Sequence, residues 1–495
     1  MKTLQRSLKL GACLLSTSII DAQEAKKPNI LVFFVDDLGY MDVSINNPNS
    51  FYETPHIDAL AHSGMLFTDG YASCPVCSPS RVSMLTGKYP TRVGTTHLFP
   101  GKKGNPGKSG KFKPAPFVSE LPLEEITIAE ALKTKGYTTF FAGKWHLGYG
   151  EAFRPQKQGF DINIGGHDKG GPYTGKKYFA PFKNPEIKKE SPAGEHLPHR
   201  LAKETVKFIN ESGDKPFLAY LSFYSVHTPL QGRKDLINKY KQKAKKQNNQ
   251  PSEQDFAKIQ SAQPRINKMR VKQTHTTYAA MVEAMDLAVG HVIDGLKKSG
   301  KYDSTIIVFT SDNGGLSTSE GHPTSNLPLN GGKGWIYEGG IREPWIIRYP
   351  GVTKAGSVSK TPISGIDLFP TVAKVVGYNV DDEIDGVDLR PALEGKELGR
   401  EALYWHYPHY SNQGGFPGGV IRMGNFKLIE NYDDGTVSLY NLTNDLGELN
   451  NLVDKHPEKT SEMRKMLHTF YQKHNAKFLQ PLKGNRPWKP NYLNE

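Results

Sequence analysis

Four runs of apolar, β-branched or aromatic residues punctuate the chain, and each leads into polar residues with chemical potential. Ile30-Leu-Val-Phe-Phe-Val35 runs into Asp36 and Asp37, and Thr138-Thr-Phe-Phe-Ala142 into Lys144 and His146. Phe217-Leu-Ala-Tyr-Leu-Ser-Phe-Tyr224 runs into His227, and Thr305-Ile-Ile-Val-Phe-Thr310 into Asp312 and Asn313. Runs that are apolar throughout, rather than at every second position, predict strands buried on both faces of a largely parallel sheet. Open α/β sheets bind ligands beyond the carboxyl ends of their strands, where all of these polar groups fall.

Helical patterns alternate with the strands. A short one covers residues 126–135 and stops at Gly136. A longer one covers 275–298, with apolar positions at Tyr278, Met281, Met285, Ala288, Val289, Val292, Ile293 and Leu296 before Gly300. The alternation predicts an α/β fold with helices on both faces of a large, mostly parallel central sheet. Residues 101–116 are rich in Gly, Lys and Pro, and residues 234–272 are charged and amide-rich, so both stretches read as inserted, solvated loops. Near residue 395 the pattern changes: residues 404–410, 418–430 and 435–441 read as short antiparallel strands, and 457–474 as a helix. These form a smaller C-terminal subdomain of antiparallel sheet plus helix.

With 495 residues and 37% hydrophobic content, the chain is long enough for one large domain and an appendage. Lys2, Arg6 and Lys9 precede the apolar stretch 10–20, and Asp21-Ala-Gln23 follows it, the layout of a secretory signal peptide. Leu10-Gly-Ala-Cys13 faintly resembles a lipoprotein attachment box, but the apolar stretch continues past Cys13, which favours cleavage over an anchor. The expected division is therefore 1–23 signal peptide, 24–395 main domain and 396–495 C-terminal subdomain, in an exported protein, periplasmic or secreted. No later stretch is apolar enough to span a bilayer. The net charge of +13 points to an anionic partner. Its Lys-rich loops lack interleaved aromatics or a nucleic-acid module, so an anionic polysaccharide fits better than nucleic acid.

Asp36, Asp37, Asp312 and Asn313 offer hard oxygen ligands suited to Ca²⁺, with Mg²⁺ the alternative. Clustered carboxylates repel one another unless a cation sits among them. Near them in function, though not in sequence, stands Cys77-Ser-Pro-Ser-Arg81. Pro79 fits the first turn of a helix, Ser78 fits its cap, and Arg81 falls within that turn, so amides and a guanidinium would surround the Cys77 side chain. Cys74-Pro-Val-Cys77 is also a Cys-x-x-Cys pair, which leaves a redox reading open. The remaining cysteine, Cys13, cannot complete a zinc site.

The Cys-x-Pro-x-Arg string resembles the signature of the type I formylglycine-dependent sulfatases, arylsulfatase-like members of the alkaline-phosphatase superfamily. Matching strings follow in order over residues 28–450: Gly143-Lys-Trp-His146, Ser225-Val-His227-Thr-Pro229, Thr310-Ser-Asp-Asn-Gly-Gly315, and Gly331-Gly-Lys333-Gly followed by Glu338-Gly-Gly-Ile-Arg-Glu-Pro344. The resemblance implies an alkaline-phosphatase-like fold. It implies that a maturation enzyme oxidises Cys77 to formylglycine (3-oxoalanine), whose hydrated diol attacks sulfur and then expels sulfate by collapsing to the aldehyde. Asp36, Asp37, Asp312, Asn313 and the converted Cys77 would bind the metal. Arg81 would stabilise the diol, His146 would take its proton, Lys144 and Lys333 would neutralise sulfate oxygens, and His227 would protonate the leaving alcohol; the two histidine roles are interchangeable.

Among substrates, the layout is most similar to exported bacterial sulfatases acting on galactose or N-acetylgalactosamine, often at O4. Loops around His167, His322 and Trp405-His-Tyr-Pro-His409 are expected near the mouth of the site. Two other functions stay open: a one-metal phosphodiesterase or phosphonate hydrolase of the same superfamily, and a catalytically silent carbohydrate-binding protein.

Overall fold

The computed structural model describes residues 27–100, 110–172, 177–187, 190–380 and 383–493. The expected signal peptide, the Cys13 box and most of the 101–116 stretch lie outside the described residues. Eight strands make the central sheet: β1 (Asn29–Val35), β2 (Met65–Phe67), β3 (Thr138–Gly143), β4 (Ile162–Ile164), β5 (Phe217–Ser222), β6 (Thr305–Ser311), β7 (Trp345–Arg348) and β8 (Ser357–Ser359). Their spatial order is β8-β2-β7-β6-β1-β5-β3-β4, with every pairing parallel except those of β7 to β6 and to β2. The mostly parallel α/β architecture expected from the apolar runs is the one observed.

The runs are apolar throughout because both faces are covered. Leu31, Phe33 and Val35 of β1 point into one core and Ile30, Val32 and Phe34 into the other. Among the described residues, eight α-helices have seven residues or more: α1 (Pro55–Ser63), α2 (Cys77–Thr86), α3 (Ile128–Thr134), α4 (Leu197–Glu211), α5 (Lys234–Lys246), α6 (Thr276–Lys298), α7 (Leu368–Val376) and, in the C-terminal part, α8 (Pro457–Lys473). Of these, α1, α4, α5 and α6 contribute to the first core, and α2, α3 and α7 to the second. His275 caps α6 by accepting the Tyr278 amide at 3.2 Å, and Gly300 follows its end with φ +71°.

The 234–272 stretch departs from expectation. Its first third is α5, whose buried Leu236, Tyr240 and Ala244 recur every four residues and pack toward α6. The stripe is masked by lysines whose stems lie along it: Lys239 sits over the Tyr240 ring and pairs with Glu53 and Glu283, and Lys243 sits over Phe51 and Tyr240. Residues 256–258 and 268–270 then pair as a small antiparallel ribbon. The described end of the 101–116 stretch is an exposed loop as expected at Lys111, Lys113 and Pro116, but it is anchored: Phe112 is buried and Lys113 exchanges backbone hydrogen bonds with Gln480.

Beyond residue 400 stand four antiparallel strands, β9 (Ala402–Tyr407), β10 (Gly418–Met423), β11 (Phe426–Asn431) and β12 (Val437–Asn441), with α8 on one face. The other face packs Leu403, Trp405, Tyr407, Val420 and Ile429 on Tyr71, Val76, Ile336 and Ile341. Trp405 and the histidines after it therefore do not line a mouth. His406 bonds Tyr432 and the Lys477 carbonyl, and His409 stacks on His97 at 4.4 Å.

A closed charge cluster ties the two parts together. Lys427 of β11 lies 2.9 Å from Glu338 and 2.8 Å from Glu448, all three fully buried. Glu338 also accepts from Arg342 and from Tyr71, while Asp69 pairs with Arg342 and Arg422.

Candidate active site

The carboxyl ends of β1, β3, β5 and β6 bring the expected residues together. Asp36 and Asp37 follow β1, Lys144 and His146 follow β3, His227 lies beyond β5, and Asp312 and Asn313 follow β6. Gly143 lets β3 end against β5: at φ +107°, a Cβ there would lie 1.7 Å from the Ser222 carbonyl oxygen. That approach lets the Lys144 amide donate to the same oxygen at 2.7 Å. Asp37 and His146 themselves adopt positive φ, +60° and +61°, an uncommon state for such residues that often marks functional sites.

Cys77 is the first residue of α2, so its side chain lies at the helix N-terminus; its sulfur is 3.5 Å from an Asp36 oxygen and 3.9 Å from an Asp37 oxygen. Two details of the expected helix start change. The cap position is Val76, and Arg81 falls beyond the first turn. Ser78 instead accepts the Phe99 amide at 3.0 Å and meets His146 Nδ1 at 3.3 Å. Cys74 and Cys77 are both free thiols.

Each carboxylate has its own cation. Lys144 bonds Asp36 at 2.7 and 2.8 Å, Lys333 bonds Asp37 at 2.7 and 2.8 Å, and Arg81 bonds Asp312 at 2.6 and 2.9 Å. Arg81 is further fixed by the Lys144 carbonyl and by Ser222. Burial pushes Asp36 up to about 6 even though Lys144 pulls it down. Burial acts on Asp37 too, but Lys333, His227 and Lys144 outweigh it and hold that carboxyl below the usual range. The Cys77 thiol is pushed well up by burial and then by Asp312, so it is not a thiolate nucleophile in this setting.

The histidines differ. Burial, then Lys144 and Arg81, hold His146 well below its ordinary value, so it is neutral. Its Nε2 faces the Phe99 carbonyl at 3.0 Å and must carry the hydrogen, leaving the lone pair on Nδ1 toward Ser78. His227 Nδ1 donates to the Thr228 carbonyl at 2.7 Å, which turns Nε2 toward Asp37 at 3.7 Å; its side chain is 18% exposed, at the edge of the cluster.

The donor set fits a hard divalent cation. One ligand atom each from Asp36, Asp37, Asp312 and Cys77 lies within 4.8 Å of all the others, and all four residues are buried. Asn313 Nδ2 donates to Asp37 at 2.8 Å, and its Oδ1 is a buried acceptor with no hydrogen-bond donor. Carboxylate and amide oxygens are the ligands that Ca²⁺ and Mg²⁺ take. Cys77 Sγ marks the position where an oxygen would stand if the residue were converted.

Around this floor lie residues to which the sequence assigned no role of their own. Ser222 positions Arg81, and the Tyr178 hydroxyl bonds the Tyr224 and His227 carbonyls at 2.6 and 2.8 Å. Glu320, exposed at the rim, accepts from Gln413 at 2.6 Å and from Thr228 at 3.3 Å. Of the groups expected near a mouth, His167 is buried and bonds Tyr224, its carbonyl receiving the His146 amide. His322 packs edge-on against Phe256.

A family model described as "Sulfatase" matches residues 28–378, and one described as "N-sulphoglucosamine sulphohydrolase, C-terminal" matches 332–477. A protein of Formosa agariphila named "Sulfatase" is 31% identical, over 94% of this chain and 92% of that protein. N-acetylgalactosamine-6-sulfatase of Mus musculus is 30% identical, over 78% of this chain and 70% of its own length. A solved structure described as Ps i-CgsB in complex with k-i-k-neocarrahexaose superposes with a TM-score of 0.72 at 29% identity, covering 90% of this chain and 92% of the other.

Proposed function

The chain belongs to the sulfatase family and is a sulfuric ester hydrolase; on that premise we propose that it removes sulfate from a sulfated polysaccharide, at O4 of galactose or N-acetylgalactosamine. The observation that carries the catalytic part is the position of Cys77, at a helix N-terminus and in contact with two carboxylates that Lys144 and Lys333 accompany. The sugar class, though not the position, is supported by a relative named N-acetylgalactosamine-6-sulfatase and by a similar structure described in complex with k-i-k-neocarrahexaose.

Formylglycine at position 77, made by a maturation enzyme, would supply a nucleophile able to release sulfate by reverting to its aldehyde. A Ca²⁺ or Mg²⁺ ion held by Asp36, Asp37, Asp312, Asn313 and residue 77 would polarise a sulfate oxygen. The remaining work falls to the chain's own groups. Lys144, Lys333 and Arg81 supply three buried positive charges around the sulfate, where a low local dielectric makes each effective. His227 is suited to protonate the leaving sugar oxygen, because its Nδ1 is committed to a carbonyl and its Nε2 faces the cluster. His146, neutral with its lone pair on Nδ1, is suited to accept a proton at the inner wall. Residues 1–23 would direct export to the periplasm or beyond, and 24–395 and 396–495 would form the catalytic domain and its C-terminal subdomain. Among the described residues no helix is long and apolar enough to cross a membrane.

Sulfate release from defined sulfated mono- and oligosaccharides by the matured protein tests the reading. Galactose 4-sulfate and N-acetylgalactosamine 4-sulfate should be the best substrates. Faster cleavage of phosphodiesters or phosphonate esters would replace it with the phosphoryl-transfer alternative. Cys77→Ser should abolish turnover in a host that converts only cysteine, and wild-type activity in that variant would remove Cys77 as nucleophile. Intact mass of the residue-77 peptide separates a converted enzyme from a silent binding protein.

A further inference from the structure

A carboxylate beside a site proposed to receive an anion needs a reason. Glu320 sits on the turn 319–322 with φ +52°, exposed as a residue, yet its carboxylate is held in place from two sides. Gln413, from the segment after β9, donates to Oε1 at 2.6 Å; Thr228, next to His227, donates to Oε2 at 3.3 Å. Gln413 is itself fixed by Ser411 at 2.7 Å, and its carbonyl takes the Thr318 hydroxyl at 2.7 Å. On the opposite side the 268–270 ribbon strand braces the same turn: the Arg270 amide donates to the Ser317 carbonyl at 2.8 Å, and its guanidinium to the His322 carbonyl and Asp255. The basic 234–272 stretch thus ends as a buttress for the loop that carries Glu320.

The electrostatic partners of Glu320 are those of the catalytic floor. Surrounding atoms desolvate its carboxylate and push its pKa up, but Lys333 and His227 outweigh this and keep it ionised at neutral pH. A glutamate side chain gives up considerable rotamer freedom when fixed in this way. Its negative charge also opposes the approach of any sulfate ester. Only a hydrogen-bond donor on the substrate reverses that cost. A carboxylate accepts about four hydrogen bonds, and two are already used. A free sugar hydroxyl can satisfy the rest, whereas a second sulfate at the same place brings like charge against like.

Resting on the sulfatase reading above, we propose that Glu320 is a specificity-determining residue that accepts a hydrogen bond from an unsubstituted hydroxyl beside the sulfate ester, so that the enzyme selects monosulfated sugars over vicinal disulfates.

The test compares matured wild type, Glu320→Gln and Gln413→Ala on three substrates: a galactose monosulfate, its analogue deoxygenated at the carbon next to the ester, and the vicinal disulfate. Glu320→Gln should lower kcat/KM on the monosulfate by roughly tenfold to a hundredfold, the scale of a hydrogen bond to a charged group. It should leave the deoxy analogue nearly unchanged and raise the disulfate. Gln413→Ala keeps the charge but frees it, and should shift the same ratios in the same direction by less. Equal losses on all three substrates, with a displaced pH–rate profile, would overturn the proposal and assign Glu320 to tuning His227. Unchanged discrimination in an active enzyme would overturn it and leave the sulfatase reading standing. Wild-type protein that releases sulfate from no sugar would remove that reading and this proposal together.

Discussion

Two buried charge clusters in this molecule contain the same chemical groups in opposite arrangements. Around Lys427 the positive charge sits in the middle, with Glu338 and Glu448 on either side of one ammonium. Around Cys77 the carboxylates are in the middle: ligand atoms of Asp36, Asp37 and Asp312 converge on one another and on the thiol, and each carboxylate has a separate cation. Both are almost fully excluded from water, so burial alone does not distinguish them. The first arrangement closes on itself and joins β11 to the segment after Lys333. The second concentrates like charge at a point, which is costly unless a cation is to be held there. It also keeps a buried acceptor, Asn313 Oδ1, without a donor, and has a partly exposed histidine at its edge. Convergence of like charges is thus the mark of the cluster proposed as the active site, and alternation of unlike charges that of the cluster that joins the two parts.

The sharpest way to break the comparison is to remove one converging charge. Asp312→Asn keeps the shape near Arg81 but should reduce activity about a thousandfold or more and lower bound Ca²⁺ or Mg²⁺, measured by elemental analysis of the purified protein. Retention of both metal and rate would remove the distinction. In the closed cluster, Lys427→Met leaves buried Glu448 without its cation and Glu338 with Arg342 alone; it should cost about 3–5 kcal/mol of unfolding free energy in denaturant titrations, while kcat per folded molecule stays close to wild type.

A milder change separates the clusters by pH. Burial raises Glu448 to about 7, with Lys427 opposing and Glu338 adding to the rise. The folded state therefore favours its protonated form: its contribution is fully present below the ordinary 4.5 and is lost as pH climbs through about 7. Glu338 behaves in the opposite sense. Burial is outweighed by Lys427, Arg342 and Arg422, its value falls to about 2, and its contribution is lost only as pH drops from 4.5 toward that point. Glu448→Gln should therefore flatten the fall in Tm between mildly acidic and mildly alkaline buffer; an unchanged slope would place the pH dependence elsewhere. The smallest effect is expected outside both clusters. Thr127 accepts the Glu130 amide at 3.2 Å in a reciprocal cap of α3, and Thr127→Ala should cost about 1–2 kcal/mol with no change in kcat, read by denaturant midpoint.

The strand ends were legible because each combines an uninterrupted apolar run with an acidic or basic terminus, a pattern produced by burial on both faces. Asp36, Asp37, Lys144, His227, Asp312 and Asn313 could be placed near one another from that pattern and the topology it implies. Glu338-Gly-Gly-Ile-Arg342 could not be separated from the catalytic strings by sequence, since nothing local reveals that Glu338 faces Lys427, 89 residues on. The histidines of Trp405-His-Tyr-Pro-His409 looked like binding groups because imidazole serves equally as a core hydrogen-bonding ring. The stripe of α5 was hidden by lysines whose stems cover it. Glu320 lies in the loop around His322 that was expected near the mouth, but its pairing with Gln413 could not be read there, because it depends on a contact spanning 93 positions.

The order of strands in the central sheet also sets a timetable. Strand β1, which delivers Asp36 and Asp37, pairs with β5 and β6; as the ribosome extends the chain, both partners are made long after Cys77. At synthesis rates of 5–20 residues per second, on the order of ten to fifty seconds separates Cys77 from the end of β6. In the finished fold Cys77 is 4% exposed. The topology therefore leaves an interval during biogenesis in which this cysteine is accessible to a second macromolecule, and closing the sheet ends it.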